Sequence, residues 1–322
     1  MKKEEIIKII KYVAGSVAAV LLAAALRIEF AYAAGIITLL TIQDTKKETV
    51  KIAAKRIVIF IIMTILSAAV FPLAGYHVWA FGVVLIPYLI CCIALDMKEA
   101  IAPIAVLCTH YISAGSCNAG MILNEFLILV IGAGVGILLN MFMPDSRAKL
   151  VAYQRTVDDK MVHILKRMSL YMERENKSDY TGECFDELDN MLANLKKQAL
   201  YYMNNHFLGE NDYYYEYMQM RSRQCIILKR VYSDIVRLTT TPQQVSALAD
   251  FVMKVADEFA EENDVKELLE QLAGLRESYS VQELPRSREE FENRAMLYHI
   301  MEDMRVFLEI KREFAGACFL RE

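Results

Sequence analysis

Residues 57–73 read IVIFIIMTILSAAVFPL, seventeen positions without a charged side chain, and they follow directly on Lys46, Lys47, Lys51, Lys55 and Arg56. A run this long and this apolar approaches what an α-helix needs to cross ~30 Å of hydrocarbon. A basic cluster at one end marks the cytoplasmic side of such a helix. Comparable apolar stretches lie on either side, at 6–26, 28–43, 78–95, 99–115 and 121–143. As helices at ~1.5 Å per residue they extend from roughly 24 to 34 Å. The shorter ones imply tilt, local thinning of the bilayer, or helices that stop part-way beside a solute path.

The rest of the chain has a different character. Residues 1–143 hold eleven Lys and Arg against eight Asp and Glu, while 144–322 hold twenty-five against thirty-two. The expectation is an all-α protein, with a polytopic membrane domain of about six transmembrane helices in 1–143 and a cytosolic helical bundle in 144–322. Lys2 and Lys3 ahead of an apolar run, with Ala-x-Ala at 23–25 and 31–33, mimic a secretory signal. Glu4 and Glu5 spoil its basic region, so the run is expected to be a retained helix. Seven cysteines without a C-x-x-C pair suggest free thiols rather than a zinc site or a disulfide framework.

Orientation follows from Lys and Arg. Lys2, Lys3, Lys8 and Lys11 precede the first segment, the cluster 46–56 fills the second link, and the links at 75–77 and 116–120 have neither residue type. Six crossings of a cytoplasmic membrane then leave both termini inside. Gly15, Ala19 and Ala23, and Gly132 with Gly136, repeat at the four-residue spacing that lets helix backbones approach closely.

In the second half, Val157, Met161, Ile164, Leu165, Met168 and Met172 keep helical spacing, as do Phe185, Leu188, Leu192, Leu195, Ala199 and Tyr202. Thr241-Pro242-Gln243-Gln244 and Ser287-Arg288-Glu289-Glu290 carry helix-start chemistry. The expectation is a bundle of five or six helices.

Enzymatic motifs are missing. Gly132-Ala133-Gly134-Val135-Gly136 lacks the Lys-Ser/Thr of a phosphate loop and sits inside an apolar segment. His299 and Glu302 fall short of the H-E-x-x-H zinc arrangement. The tyrosines at 201, 202, 213, 214, 215 and 217 suit a core or interface better than a ligand platform. No enzyme activity, metal, cofactor or nucleic-acid partner is expected.

Polar groups in the apolar half carry more information, since they are costly there unless paired or wet. His110 stands in the most polar segment with Cys108, Thr109 and Ser113. It either faces a solute path or relays protons, or it makes an interhelical hydrogen bond. Arg27 and Glu29 are read as surface residues that snorkel or pair, or else Arg27 is an outer anchor for a carboxylate. Lys55 and Arg56 are explained by orientation, or they serve the same purpose at the inner mouth. Glu125 is expected at the interface.

The run from Tyr32 to Thr49, YAAGIITLLTIQDTKKET, followed by Ala53, Ala54 and Arg56, resembles the aromatic acid exporter family of bacteria, related to fusaric-acid-resistance-like transporters. The layout of short apolar segments and a charged helical domain resembles that family over essentially the whole chain. The resemblance implies efflux of aromatic carboxylates across the cytoplasmic membrane, with a homodimer as the implied assembly. Gln43, Thr45, Glu48, Thr49 and Arg56 match by motif position. Gln43 and Thr45 would then offer hydrogen bonds to a carboxylate and Arg56 charge, although Thr45 as N-cap with Glu48 three residues on explains the same spacing. The candidate substrate-binding set is Arg27, Gln43, Thr45, Arg56 and His110, and the expected partners are a small aromatic or organic anion and the lipid bilayer. The rival reading is a membrane-anchored sensor or scaffold whose bundle binds a protein or an aromatic ligand. An intramembrane enzyme ranks third, since no catalytic constellation is visible.

Overall fold

The computed structural model describes residues 3–142, 147–177, 179, 181–206, 212–239, 245–260 and 263–319. They are helix and connecting loop, with no strand among them. Two compact units are present: the first takes the described residues up to 142 with 204–206, the second the remainder.

The first unit contains α1 (Lys3–Ala25), α2 (Tyr32–Thr41), α3 (Lys46–Ala74), α4 (Val78–Ala94), α5 (Ile101–Ala114) and α6 (Ala119–Met141), with one 3₁₀ turn, Lys98–Ala100, before α5. Each of the six apolar segments therefore contains one helix. Three stretches, Lys8–Ala25, Lys46–Ala74 and Ala119–Met141, are long and apolar enough to cross a membrane. The ten residues of α2 extend only about 15 Å and the fourteen of α5 about 21 Å.

Packing explains how so short an α2 is held. It lies against α1 and α6, while α3 packs on α4, α5 and α6. A Cβ added at Gly132 would sit 2.7 Å from the Ala34 carbonyl oxygen, and one at Gly136 2.9 Å from Thr41 Cβ. The α2 and α6 backbones thus approach at the glycine face the sequence marks. Gly132–Gly136 is continuous helix, as the packing reading of that run requires. Ile59, Phe60 and Met63 of α3, Tyr88 of α4, Leu107 and Tyr111 of α5 and Ile128 of α6 share the core. Leu21, Ile65, Leu73, Val78 and Ile86 point outward. Outward apolar side chains over backbones bonded within their helices are what a lipid environment permits.

The second unit contains α7 (Arg147–Met172), α8 (Glu183–Asn204), α9 (Tyr213–Arg237), α10 (Val245–Asp257), α11 (Lys266–Ser280) and α12 (Arg288–Phe319). Both periodic faces read from the sequence are buried here, from Val157 to Met172 on α7 and from Phe185 to Leu195 on α8. Helix α9 packs on α7 and α12, and α10 on α7, α11 and α12. Tyr202 stacks edge-on with Tyr214 at 5.5 Å, and Tyr213 lies against Tyr217 and Phe314. These tyrosines build core, as expected. Ser287 caps α12 by accepting from Glu290 N at 3.1 Å. The start signal at 241–244 lies outside the described residues. Glu302 is committed to Arg276 at 2.7 Å and Arg305 at 3.1 Å. Cys91, Cys92, Cys108, Cys117, Cys184 and Cys225 are free thiols.

Candidate functional site

Between α2 and α3 the chain breaks at Ile42–Thr45 because two helix ends meet there. Thr45 adopts an extended backbone (φ −130, ψ 155), and its Oγ1 accepts from Glu48 N at 3.3 Å, so the capping reading of this spacing is realised. One turn on, buried Thr49 donates to Thr45 O at 2.9 Å and accepts from Gln43 N at 3.2 Å. Asn140, near the end of α6, completes the knot. Its Nδ2 donates to Thr49 Oγ1 at 2.5 Å, Gln43 O at 3.0 Å and Thr45 O at 3.2 Å. At the same end of the unit Lys8 pairs with Asp44 at 2.5 Å and Lys11 donates to Phe142 O at 2.8 Å.

Deeper along α3, Arg56 is 2% exposed. Its guanidinium turns toward the last turn of α2, donating to Thr41 Oγ1 at 2.5 Å, Leu40 O at 2.7 Å and Ile37 O at 3.4 Å. All three acceptors are neutral oxygens, and no carboxylate lies within ion-pair distance among the described residues. These hydrogen bonds to neutral oxygens hold the guanidinium without cancelling its charge, and Glu99 acts on it through space without ion-pair contact. Two buried polar atoms in this region, Arg56 Nε and Asn140 Oδ1, have no hydrogen-bond partner. Such atoms are rare in native folds and mark places where water or a ligand bonds. Lys55, by contrast, is occupied: it donates to Asp96 O at 2.6 Å and lies 3.5 Å from Glu99.

The five candidate residues divide between two ends of the unit. Gln43, Thr45 and Arg56 come together around the α2–α3 break. Gln43 is half-buried, and its amide donates to Leu40 O at 3.0 Å. Arg27 and His110 lie at the other end. Arg27 is exposed, in the α1–α2 link, with a left-handed backbone (φ 55), and it makes no ion pair with Glu29.

His110 does not stand alone. Its Nδ1 lies 2.7 Å from Glu125 Oε2, and Phe30 stacks on its ring at 4.3 Å. Of the two readings of His110, the interhelical hydrogen bond is present. Glu125 is fully buried within the unit. The imidazole of His110 and the side chain of Asn124 cover it. Asn124 donates to Glu125 Oε1 at 3.0 Å and clasps Glu29 through backbone bonds in both directions. This imidazole–carboxylate contact ties α5 to α6.

Thr41, Asn124 and Asn140 belong to these clusters without having been singled out in the sequence. A polar side chain inside an apolar segment was the available signal. Chemically, the α2–α3 break offers a fixed cation, hydroxyls and amide groups, a set suited to a carboxylate and devoid of nucleophile–base geometry.

Residues 5–143 match the family model "Aromatic acid exporter family member 1", and residues 147–312 match "Putative aromatic acid exporter C-terminal domain". The chain is 29% identical over 307 residues to the "Uncharacterized protein YqjA" of Bacillus subtilis (strain 168), covering 95% of each. It also resembles a solved chain described as "Crystal structure of putative membrane protein from Clostridium difficile 630", with 25% identity and a TM-score of 0.47, over 52% of this chain and 99% of that one.

Proposed function

This chain belongs to the aromatic acid exporter family, and from that premise we propose that it exports small aromatic carboxylates across the cytoplasmic membrane through the helices of its first unit. In this reading all six helices lie in the bilayer, both termini face the cytoplasm, and the short α2 ends part-way across. Its last turn and the start of α3 then form the inner binding place.

Arg56 carries the proposal: a fully buried guanidinium that has only neutral oxygens as partners and keeps Nε without one. Thr41 and the carbonyls of Ile37 and Leu40 fix its orientation, which leaves its charge for the carboxylate of the substrate. Gln43, also at the break, supplies a side-chain amide. An inside-negative potential favours exit of an anion by ~2.3 kcal/mol per charge per 100 mV, so export through a gated path needs no nucleotide motif. Arg27, exposed in the α1–α2 link, serves as a landing charge at the outer end.

Flux of labelled 4-hydroxybenzoate from proteoliposomes, with and without an imposed potential, tests this. Potential-dependent flux above empty liposomes, lowered at least tenfold in Arg56→Gln, is the expected result. Absence of flux for several aromatic acids, with the protein folded and inserted, would overturn it.

A further inference from the structure

One face of α12 carries a pattern that the export path does not use. Tyr298, Glu302, Arg305, Glu309, Arg312 and Gly316 follow one another in steps of four and three. Five steps over eighteen residues average 3.6, the period of an α-helix, so the six form a straight stripe along Arg288–Phe319. The stripe is open. Tyr298 is 40% exposed, the side chains of Arg305 and Arg312 are 42% and 58% exposed, and a Cβ at Gly316 would meet nothing within 4 Å.

Beside the stripe, between α11 and α12, runs a groove of about 440 Å³. Glu302, Arg305, Glu309 and Arg312 line one side of it, and Leu269, Leu272, Ala273 and Met301 give it an apolar lining. Of the fifteen residues of α11 only Leu268 and Leu272 are buried, so this helix pair leaves the groove uncovered. A channel of this form accepts a further helix, ridge into groove.

Within one copy the charges are tied to one another. Arg305 lies 3.1 Å from Glu302 and 2.7 Å from Glu309, Arg312 lies 3.7 Å from Glu309, and Arg276 of α11 lies 2.7 Å from Glu302. Arg276 also donates to Tyr298 OH and stacks on its ring at 5.1 Å, which fixes the ring at the head of the stripe. Two glutamates and two arginines leave the stripe neutral, so it exerts no net pull on a polyanion or an anionic membrane surface.

The order of residues instead complements its own reverse. Laid antiparallel about residue 307, Tyr298 faces Gly316 of a second copy, Glu302 faces Arg312, and Arg305 faces Glu309. A large side chain meets open space and each charge meets its opposite. A two-fold axis repeats every one of these pairs.

We propose that a second copy of this chain docks here, α12 lying antiparallel on α12 with the stripe of each copy along the groove of the other. The charge order sets register and direction, and the apolar lining of the groove supplies surface removed from water.

Sedimentation of the full-length chain in detergent over a dilution series tests the proposal. Two copies per particle are expected at the top of the series. Glu302→Arg sets arginine against Arg312 of the second copy, and Arg312→Glu sets glutamate against Glu302. Each is expected to weaken the dimer at least tenfold, because like charges then meet at both copies of the contact. The double variant, Glu302→Arg with Arg312→Glu, restores opposite charges across the axis but not the pairs within the helix, and is expected to return to within about threefold of the original chain. Recovery therefore reports the contact between copies. Gly316→Leu, which fills the space facing Tyr298 and touches nothing in its own copy, is expected to weaken the dimer at an unchanged melting temperature. A monomer throughout the series, a dimer indifferent to both single charge reversals, a folded double variant as weak as the singles, or a Gly316→Leu dimer as tight as the original would overturn the proposal.

Discussion

Replacing Asn140 by Ala probes the α2–α3 break directly. The side chain is 1% exposed, and its two N–H hydrogens serve three acceptors on the break: Gln43 O, Thr45 O and Thr49 Oγ1. Hydrogen bonds between membrane helices average ≈0.6 kcal/mol and reach ≈1.7, so losing two costs about 1–3 kcal/mol. The cost falls locally, because Thr45 still caps α3 and the Gly132 face still seats α2. Opening of the break, rather than global unfolding, should therefore become easier. At 1.36 kcal/mol per tenfold change, amides of 43–49 should exchange roughly 5- to 160-fold faster, while those of α4 and of the C-terminal unit stay unchanged. Hydrogen exchange of both chains in the same nanodiscs reads this out. Exchange at 43–49 equal to that of the original chain would refute the assignment of Asn140 as the clasp.

Gly132→Val should cost about 1–3 kcal/mol by overpacking against Ala34 and Ile37, whereas Gly134→Val, where a new Cβ meets nothing within 4 Å, should be tolerated. Equal folded yields in detergent would remove the glycine contact from the account. His110→Ala leaves one oxygen of buried Glu125 without its imidazole partner and should destabilise by about 1–3 kcal/mol, and Glu125→Gln, which keeps a hydrogen-bond partner, should cost less; thermal melts of the two in detergent decide the order. In the C-terminal unit, burial pushes the Cys225 thiol up to about 12 from 9.0, helped by its contact with Asp189, and burial pushes the Tyr279 hydroxyl up to about 12 from 10.0. Both folded-state values exceed the unfolded ones, so their contribution is complete below pH 9 and is lost as pH rises from 9 to 12. The melting temperature should fall across that window, and less steeply in Cys225→Ser; identical slopes would exclude Cys225 as a source.

Much of this architecture is local in origin and was therefore legible. The apolar runs, the Thr45 cap with Glu48, the cap at Ser287, the α7 and α8 core faces and the tyrosine-rich start of α9 each depend on residues within a few turns of one another. Helical periodicity and capping chemistry express short-range physics, which the order of residues contains in full. The small-residue spacing on α6 also announced a close contact, though not its partner.

What the sequence by itself determined is a chain of helices, apolar in one half and charged in the other, with a basic cluster at the start of α3 and family-like chemistry around it. Only the tertiary structure decided which polar groups meet. It set Arg56 against the last turn of α2, closed Asn140 onto Thr49 from 91 positions away, buried Glu125 against His110, and brought Arg221 of α9 against Asp158 of α7. Each of these groups is expensive to bury alone and acceptable once partnered. Partnership depends on which helix faces are brought together, and no stretch of neighbouring residues encodes that.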